Sequence, residues 1–323
     1  MTRFNLKYLS LYRTELMGFA AIGIICCHAY PNGVILPKWF TLFFGGQLGV
    51  SVFFFLSGLG IWHSLQHVNR CVCGGGRGEV NHWYIKRYKK LFIPFLMLAI
   101  PFFAYQTISG GHNIWFFITR ITTIEFWISG DGAWFVSPLV VLYLIAPWWK
   151  MLLQATKLST VLSMLAFFAV LCFGDLVMNH SSEICFFFLG FWIGPYVLEG
   201  RTIRWVPIVI GSIVLYLSFR LIPALQSYQR SIFLVPLFIV LPCLLFDLPW
   251  MKRINKVFGF MGTISLESYL CNIFLPMVFI QSSWVQNIHF WNNNIGYLLV
   301  VVVGIALAYV VHRFSQKILS KTI

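Results

Sequence analysis

The chain has 323 residues, of which 59% are apolar, 18% aromatic and only 10% charged. This balance excludes a soluble globular domain and indicates an integral membrane protein. The formal net charge is +14, but no basic patch with interleaved aromatic residues suggests nucleic acid as a partner.

Apolar stretches that can cross a bilayer recur along the whole chain, and they predict an all-α protein with about ten transmembrane helices. The predicted spans are 14–31, 41–65, 91–108, 133–149, 158–178, 184–198, 205–222, 231–247, 260–281 and 295–312. No internal repeat, linker or soluble appendage of domain size interrupts them. Residues 1–323 are therefore predicted to form a single transmembrane domain.

The distribution of Lys and Arg predicts the orientation. With ten spans and a cytoplasmic N-terminus, 19 of the 23 basic residues fall on the inner side; those outside are Lys38, Arg120, Arg220 and Arg230. This asymmetry follows the positive-inside rule. Both termini are therefore predicted to be cytoplasmic, in a multi-pass protein of the cell (inner or plasma) membrane.

The first span has an ionisable residue near its far end, His28, after the apolar run from Leu16 to Cys27. An imidazole inside a membrane is costly, so this position is a candidate functional site. A neutral imidazole accepts a proton from a hydroxyl as that hydroxyl attacks a carbonyl group. The alternative is a histidine that only hydrogen-bonds a neighbouring helix.

The next two spans carry small residues and cations. Gly49-Val-Ser-Val-Phe-Phe-Phe-Leu-Ser-Gly58 allows close helix approach, and Ser57 either packs there or hydrogen-bonds a catalytic partner. The third span is preceded by Lys86-Arg87-Tyr88-Lys89-Lys90. These cations are suited to phosphate groups, or they form a topological charge cluster.

Polar and aromatic residues mark two later regions. The connection 109–132 mixes aromatic with charged residues and is predicted to lie at the outer membrane interface. The ninth span contains Glu267, and a carboxylate in a span usually has a partner or a function. We expect Glu267 to orient a catalytic imidazole or to pair with a basic residue from the loops.

Three of these stretches, 16–28, 49–58 and 83–94, together resemble the membrane-bound acyltransferase family 3, whose members acylate sugars and surface glycans. Residues 134–147 and 262–272 are similar to further patterns of that family. The resemblance implies that His28 is the general base, with Glu267 as a second catalytic residue. It implies cofactor contacts at Arg87 and Lys90, with Lys86 beside them, which would hold the phosphates of coenzyme A. It implies substrate contact or support of the site by Ser57, Trp134, Tyr143, Tyr269 and Asn272.

The sequence departs from the family pattern at two positions. Met17 stands where a basic residue is usual, eleven positions before the histidine. Arg13 lies about one turn lower on nearly the same face, where it either holds a phosphate of coenzyme A or anchors the helix at the cytoplasmic surface. Asn272 stands where the family has a histidine, which leaves His28 as the one histidine well inside the predicted apolar core.

The leading prediction is an integral membrane O-acyltransferase that transfers an acetyl group from acetyl-CoA to a sugar hydroxyl of an exopolysaccharide or other cell-surface glycan. Its predicted partners are the acyl-CoA donor, the glycan acceptor and membrane lipids, and no metal is expected. The alternative is a non-catalytic transporter or flippase of a lipid-linked sugar or small solute. Ten spans and the changes at Met17 and Asn272 favour that alternative, whereas the scarcity of intramembrane charge argues against it.

Overall fold

The structure is a computed structural model that describes residues 3–29, 32, 34, 46–66, 68, 77–130, 135–177, 182–221, 233–279 and 293–322. Trp134, a predicted substrate contact, lies outside these residues. The helices before residue 160 are α1 Lys7–Leu11, α2 Arg13–Ala29, α3 Gly46–Leu65, α4 Arg77–Ser109, α5 Ile114–Ile121, α6 Glu125–Ser129, α7 Val136–Ala155 and α8 Ser159–Val177. The later ones are α9 Cys185–Glu199, α10 Trp205–Leu221, α11 Val235–Phe246, α12 Lys252–Thr263, α13 Ser265–Phe279 and α14 Asn293–Thr322.

The predicted all-α class is confirmed, with one small exception. Two strands of three residues each, β1 Arg3–Asn5 and β2 Thr202–Arg204, pair antiparallel. In this register Phe4 lies opposite Ile203. Single 3₁₀ turns occur at Ser182–Ile184 and Pro249–Met251.

Helix length decides which described helices qualify as membrane spans. Four are long and apolar enough: 48–65, 78–109, 136–155 and 294–321. The number is five if α11, the following turn and α12, which are bent by 91°, are counted as one broken span rather than a re-entrant loop. Helices such as α9 and α13 have 15 residues, or about 22 Å at 1.5 Å per residue, which is less than the hydrocarbon thickness of about 30 Å. The structure thus supports several spans and does not confirm ten.

Two helix boundaries differ from the sequence prediction. Helix α4 begins at Arg77, well before the predicted start at residue 91, so the cations at 86–90 are helical. Helix α12 is a separate amphipathic helix before α13, where one span over 260–281 was predicted. The hydropathy pattern locates apolar segments, whereas backbone hydrogen bonds continue a helix beyond them.

The chain divides into two compact units. The first comprises residues 1–60, 160–175 and 180–265, and the second comprises 61–159, 176–179 and 266–323. His28, Arg13 and Ser57 belong to the first unit. The other described site candidates belong to the second.

Close backbone contact organises the first unit. A Cβ on Gly18 of α2 would collide with the carbonyl oxygen of Phe258, and one on Gly262 would collide with that of Thr14. Small residues that let backbones touch are typical of helix association in membranes. Helix α12 therefore packs directly against the first half of α2, the half that is predicted to lie on the cytoplasmic side.

In the second unit, the segment predicted to be interfacial forms two short helices. Helix α5 has no buried side chain, and Trp115 is 65% exposed. The Arg120 guanidinium lies over the ring of Phe116, at 4.3 Å from its centroid. Exposed aromatic and aliphatic side chains of this kind are typical of segments that lie at a membrane surface.

Candidate active site

His28 lies in the last turn of α2 and is half-buried. Its carbonyl oxygen accepts a hydrogen bond of 2.6 Å from the side-chain amide of Asn32. This bond satisfies one of the carbonyl groups that a helix end leaves without an intrahelical partner. The end of the helix that carries the imidazole is therefore held by a local contact.

Helix α2 is also fixed against α3. A Cβ on Gly49 would lie 2.8 Å from the carbonyl oxygen of Ala20 and 2.7 Å from Cγ1 of Ile24. Ala20 and Ile24 are on one face of α2, four residues apart. Close contacts with α3 and α12 thus determine where His28 is presented.

Arg13, at the start of α2, donates hydrogen bonds from Nε and a terminal nitrogen to the carbonyl oxygen of Leu56, at 3.4 and 3.3 Å. Its guanidinium fills the space beside Gly60, where a Cβ would lie 2.6 Å from the same terminal nitrogen. Arg13 therefore ties α2 to α3. Its predicted contact with a phosphate of coenzyme A is untested.

Ser57 lies where α3 crosses α9. A Cβ on the adjacent Gly58 would collide with the carbonyl oxygen of Phe187, and a Cβ on Gly190 would collide with that of Phe55. Two reciprocal glycines allow the helices to touch. Ser57, next to Gly58, is half-buried, and both of its predicted roles, packing and a hydrogen bond to a catalytic partner, stay predictions.

The predicted phosphate-binding cations lie on successive turns of α4. Lys86 and Lys90 are exposed, and Arg87 is half-buried. Positions three and four apart share one side of a helix. The three cations therefore form one cationic face, which we call the α4 cationic face.

Tyrosines join α4 to α7 beside this face. Tyr84 donates to the carbonyl oxygen of Leu144 at 2.8 Å, and Tyr88 donates to that of Val140 at 2.9 Å. The ring of Tyr143 lies 6.4 Å from the ring of Tyr88. The predicted residue Tyr143 is thus part of an aromatic seam that holds the helix carrying the cations.

Glu267 is almost completely buried, with 4% of its surface exposed, and it has a partner that sequence reasoning missed. Its Oε1 lies 2.9 Å from Nδ1 of His312 on α14. Within the described part of the chain, the observed partner of Glu267 is therefore an imidazole; that this imidazole is catalytic stays a prediction. The signal in the sequence was a histidine at the very end of the tenth predicted span.

The same two helices share a second polar contact. Tyr297 of α14 donates to Oδ1 of the buried Asn272 at 3.0 Å. Glu267 and Asn272 are five residues apart on α13 and both bond to α14. The amide that replaces the family histidine thus contributes to helix association.

Tyr269 is buried, and its ring lies 5.1 Å from that of Phe135. Within the described part of the chain, its hydroxyl has no hydrogen-bond partner. A buried hydroxyl without a partner costs free energy, which a polar ligand would offset. Tyr269 is therefore the predicted supporting residue with spare hydrogen-bonding capacity.

Among the described residues, no group of three or more His, Cys, Asp or Glu side chains is arranged to hold a metal ion.

A family model described as an acyltransferase domain, that of acyltransferase family 3, matches residues 16–313. Because this match covers most of the chain, the protein belongs to that family, a class of multi-pass membrane acyltransferases that act with an acyl donor and an acceptor. No curated protein and no solved structure matches the chain significantly.

Proposed function

We propose that this protein is an O-acyltransferase that transfers an acetyl group from acetyl-CoA to a sugar hydroxyl of an exopolysaccharide or other cell-surface glycan. The observation that carries the proposal is the position of His28, half-buried at the end of a firmly packed helix inside the region matched by the family model. A half-buried imidazole remains accessible to a substrate while its helix keeps it in place.

The proposed chemistry uses His28 as general base. The neutral imidazole accepts the proton of the sugar hydroxyl while the hydroxyl oxygen forms a bond to the thioester carbonyl carbon. The carbon–sulfur bond then breaks, and the coenzyme A thiolate takes the proton from the imidazolium. Donors such as hydroxyl or amide groups stabilise the oxyanion between these steps.

The α4 cationic face is proposed to bind the phosphates of the donor. Coenzyme A carries a 3′-phosphate and a pyrophosphate, and three cations on adjacent turns complement several negative charges. Arg13 is a further proposed phosphate contact, and its bonds to Leu56 give it a structural role as well.

The remaining predicted residues are proposed to contact the acceptor or support the site. They are Ser57, Trp134, Tyr143, Tyr269 and Asn272. Glu267 is proposed to act through His312, as a residue that positions an imidazole.

We further propose a single transmembrane domain of ten spans with both termini in the cytoplasm of a cell (inner or plasma) membrane. The excess of Lys and Arg on the predicted inner side supports this orientation. In this proposed orientation, the α4 cationic face would lie on the cytoplasmic side, where acetyl-CoA is available.

The test is acetyl transfer by purified full-length protein in detergent, with acetyl-labelled acetyl-CoA and the glycan as acceptor. His28→Ala should lower kcat by about 100-fold or more, the usual contribution of a general base. His112→Gln, a change at an exposed histidine, is the matched control and should retain the parental rate. Parental activity in His28→Ala would overturn the catalytic role.

The donor site has its own test. Arg87→Gln with Lys90→Gln should raise KM for acetyl-CoA and leave kcat at saturating donor nearly unchanged, because phosphates far from the thioester contribute mainly to binding. Lys317→Gln with Lys321→Gln is the charge-matched control. If correctly inserted protein transfers label to neither glycan nor water, the result would favour the alternative of a transporter or flippase over an acyltransferase.

A further inference from the structure

An apolar cavity of about 610 Å³ lies within the first unit. Its size is in the range of ligand pockets, roughly 300–1,000 Å³. The walls come from the β1–β2 ribbon and from helices α1, α3, α9, α10 and α11. Lining side chains include Phe4, Leu9, Phe55, Trp192, Ile208 and Ile239.

The ribbon forms a two-sided wall of this cavity. Phe4 and Ile203 are register partners that both line the cavity. Side chains alternate between the faces of a strand, so Arg3 and Arg204, the neighbouring register pair, lie on the opposite face and are exposed. The ribbon therefore presents Phe4 and Ile203 to the cavity and carries Arg3 and Arg204 on its exposed side.

Two further cations lie at the same end. Arg201 lines the cavity itself, and the aliphatic stem of Lys7 lies against Gly200. Glu199 forms an ion pair of 2.6 Å with Arg201. Together with Arg3 and Arg204, this end of the first unit has four cations and one carboxylate.

The direct opposition of Arg3 and Arg204 is unfavourable by itself. Like charges at opposite positions of paired strands destabilise the pairing. An anion placed between or beside the guanidinium groups would convert this repulsion into attraction. The ribbon therefore favours a negatively charged ligand next to an apolar cavity.

We propose that this cavity binds an anionic phospholipid, with an acyl chain among the apolar side chains, the phosphate against Arg201 and Lys7, and the Arg3–Arg204 pair adding positive charge from the outer face of the ribbon. The ligand must be amphipathic, because a soluble anion would not fill the apolar cavity and a hydrocarbon would not use the cations. Basic pockets between transmembrane helices bind acidic lipid headgroups in the same way. The site is independent of the proposed acyl transfer.

The experiment uses full-length protein in detergent and measures retained lipid by native mass spectrometry and melting temperature. Phosphatidylglycerol should bind more tightly and raise Tm more than phosphatidylcholine with the same chains, and salt should reduce the difference. Inorganic phosphate alone should give no comparable rise in Tm. Equal effects of the two lipids, or an equal effect of phosphate alone, would overturn the proposal.

Two variants separate the headgroup from the chain. Lys7→Gln with Arg204→Gln should weaken phosphatidylglycerol binding about fivefold or more per charge removed. Phosphatidylcholine has the same phosphate but no net charge, so its binding should fall clearly less. Lys317→Gln with Lys321→Gln removes equal charge from α14, which supplies no residue to the cavity, and should have no effect.

The apolar part is tested by Ile208→Trp, which fills the cavity from a position that is 44% exposed and so tolerates a larger side chain. Both lipids should then bind more weakly, while Ile208→Ala should retain binding. Undiminished lipid binding in a folded Ile208→Trp protein would place the lipid elsewhere and overturn the proposal.

Discussion

The carboxylate of Glu267 lies 2.9 Å from Nδ1 of His312, although 45 residues separate them in the chain. Both side chains lie on apolar helices, where an isolated ionisable group is costly. The pair therefore reports a specific association of α13 with α14.

We expect Glu267→Ala and His312→Ala each to destabilise the protein by about 2 kcal/mol, because each leaves a buried polar partner without its hydrogen bond. The double variant should cost clearly less than the sum, since neither orphaned group remains. Thermal unfolding in detergent measures this. Strictly additive losses would show that the two side chains do not interact.

Close packing at Gly18 gives a steric prediction. Gly18→Ala should strongly reduce the yield and thermal stability of folded protein, because its Cβ would collide with a rigid backbone carbonyl at Phe258. Gly211→Ala is the matched control, since a Cβ there meets nothing within 4 Å and alanine favours a helix by about 0.5–1 kcal/mol. Similar behaviour of the two variants would contradict the observed helix contact.

Arg13 can be tested for two roles at once. Arg13→Gln should lower Tm, because it loses the charged hydrogen bonds to the carbonyl of Leu56. If Arg13 also binds a donor phosphate, KM for acetyl-CoA rises in the same variant, whereas a purely structural residue leaves KM unchanged. Arg13→Lys keeps the charge and loses the planar fork, so it should restore KM more than Tm.

A pH effect follows from Asp247, which accepts hydrogen bonds from Tyr8 at 3.1 Å and from Tyr12 at 2.9 Å. Burial, with the hydrogen bond and charge of Asp247, raises the pKa of Tyr12 from 10.0 to about 12. A raised folded-state pKa means that the protonated phenol stabilises the fold below pH 10.0. That contribution is lost as the pH rises through about 12.

We therefore expect alkaline titration, followed by phenolate absorbance, to show late-ionising tyrosines in the native protein. Asp247→Asn should shift them to lower pH without returning Tyr12 to its ordinary pKa, since burial is the larger cause. An unchanged titration curve in Asp247→Asn would exclude the observed contacts.

Lys150 on α7 is 1% exposed, and among the described residues its Nζ has no hydrogen-bond partner; the ring of Trp62 lies 5.8 Å away. Methionine has a similar length without the charge. Lys150→Met should therefore stabilise the protein by about 1 kcal/mol or more, because it removes a buried polar group without a partner. A lower Tm in this variant would contradict this prediction.

The sequence was sufficient for the helical class, the family resemblance and the location of apolar segments, because these depend on local composition. It could not provide the partner of Glu267, since nothing local in α13 indicates His312. The direction of the Arg13 side chain was equally hidden. The long stem permits several orientations, and Gly60 on another helix creates the space that one of them occupies.

The boundary of α4 shows a different reason for error. The hydropathy of the sequence begins to rise after Lys90, but the helix begins at Arg77. A helix is held by backbone hydrogen bonds, which polar residues also form, so it extends beyond the apolar segment. Cations predicted to precede a span are consequently held on a regular surface. The spacing of Lys86, Arg87 and Lys90 is thereby as rigid as a helix allows.

The backbone contact at Gly18 has a consequence for acceptor choice. His28 lies ten positions further along α2, about 15 Å at 1.5 Å per residue. The contact fixes the position of α2 along α12. The imidazole of His28 is therefore held at a constant distance from that contact. Under the proposed function, only a glycan hydroxyl that extends as far as the His28 imidazole would be acylated. A hydroxyl that does not extend that far would stay unmodified even if its sugar ring were recognised.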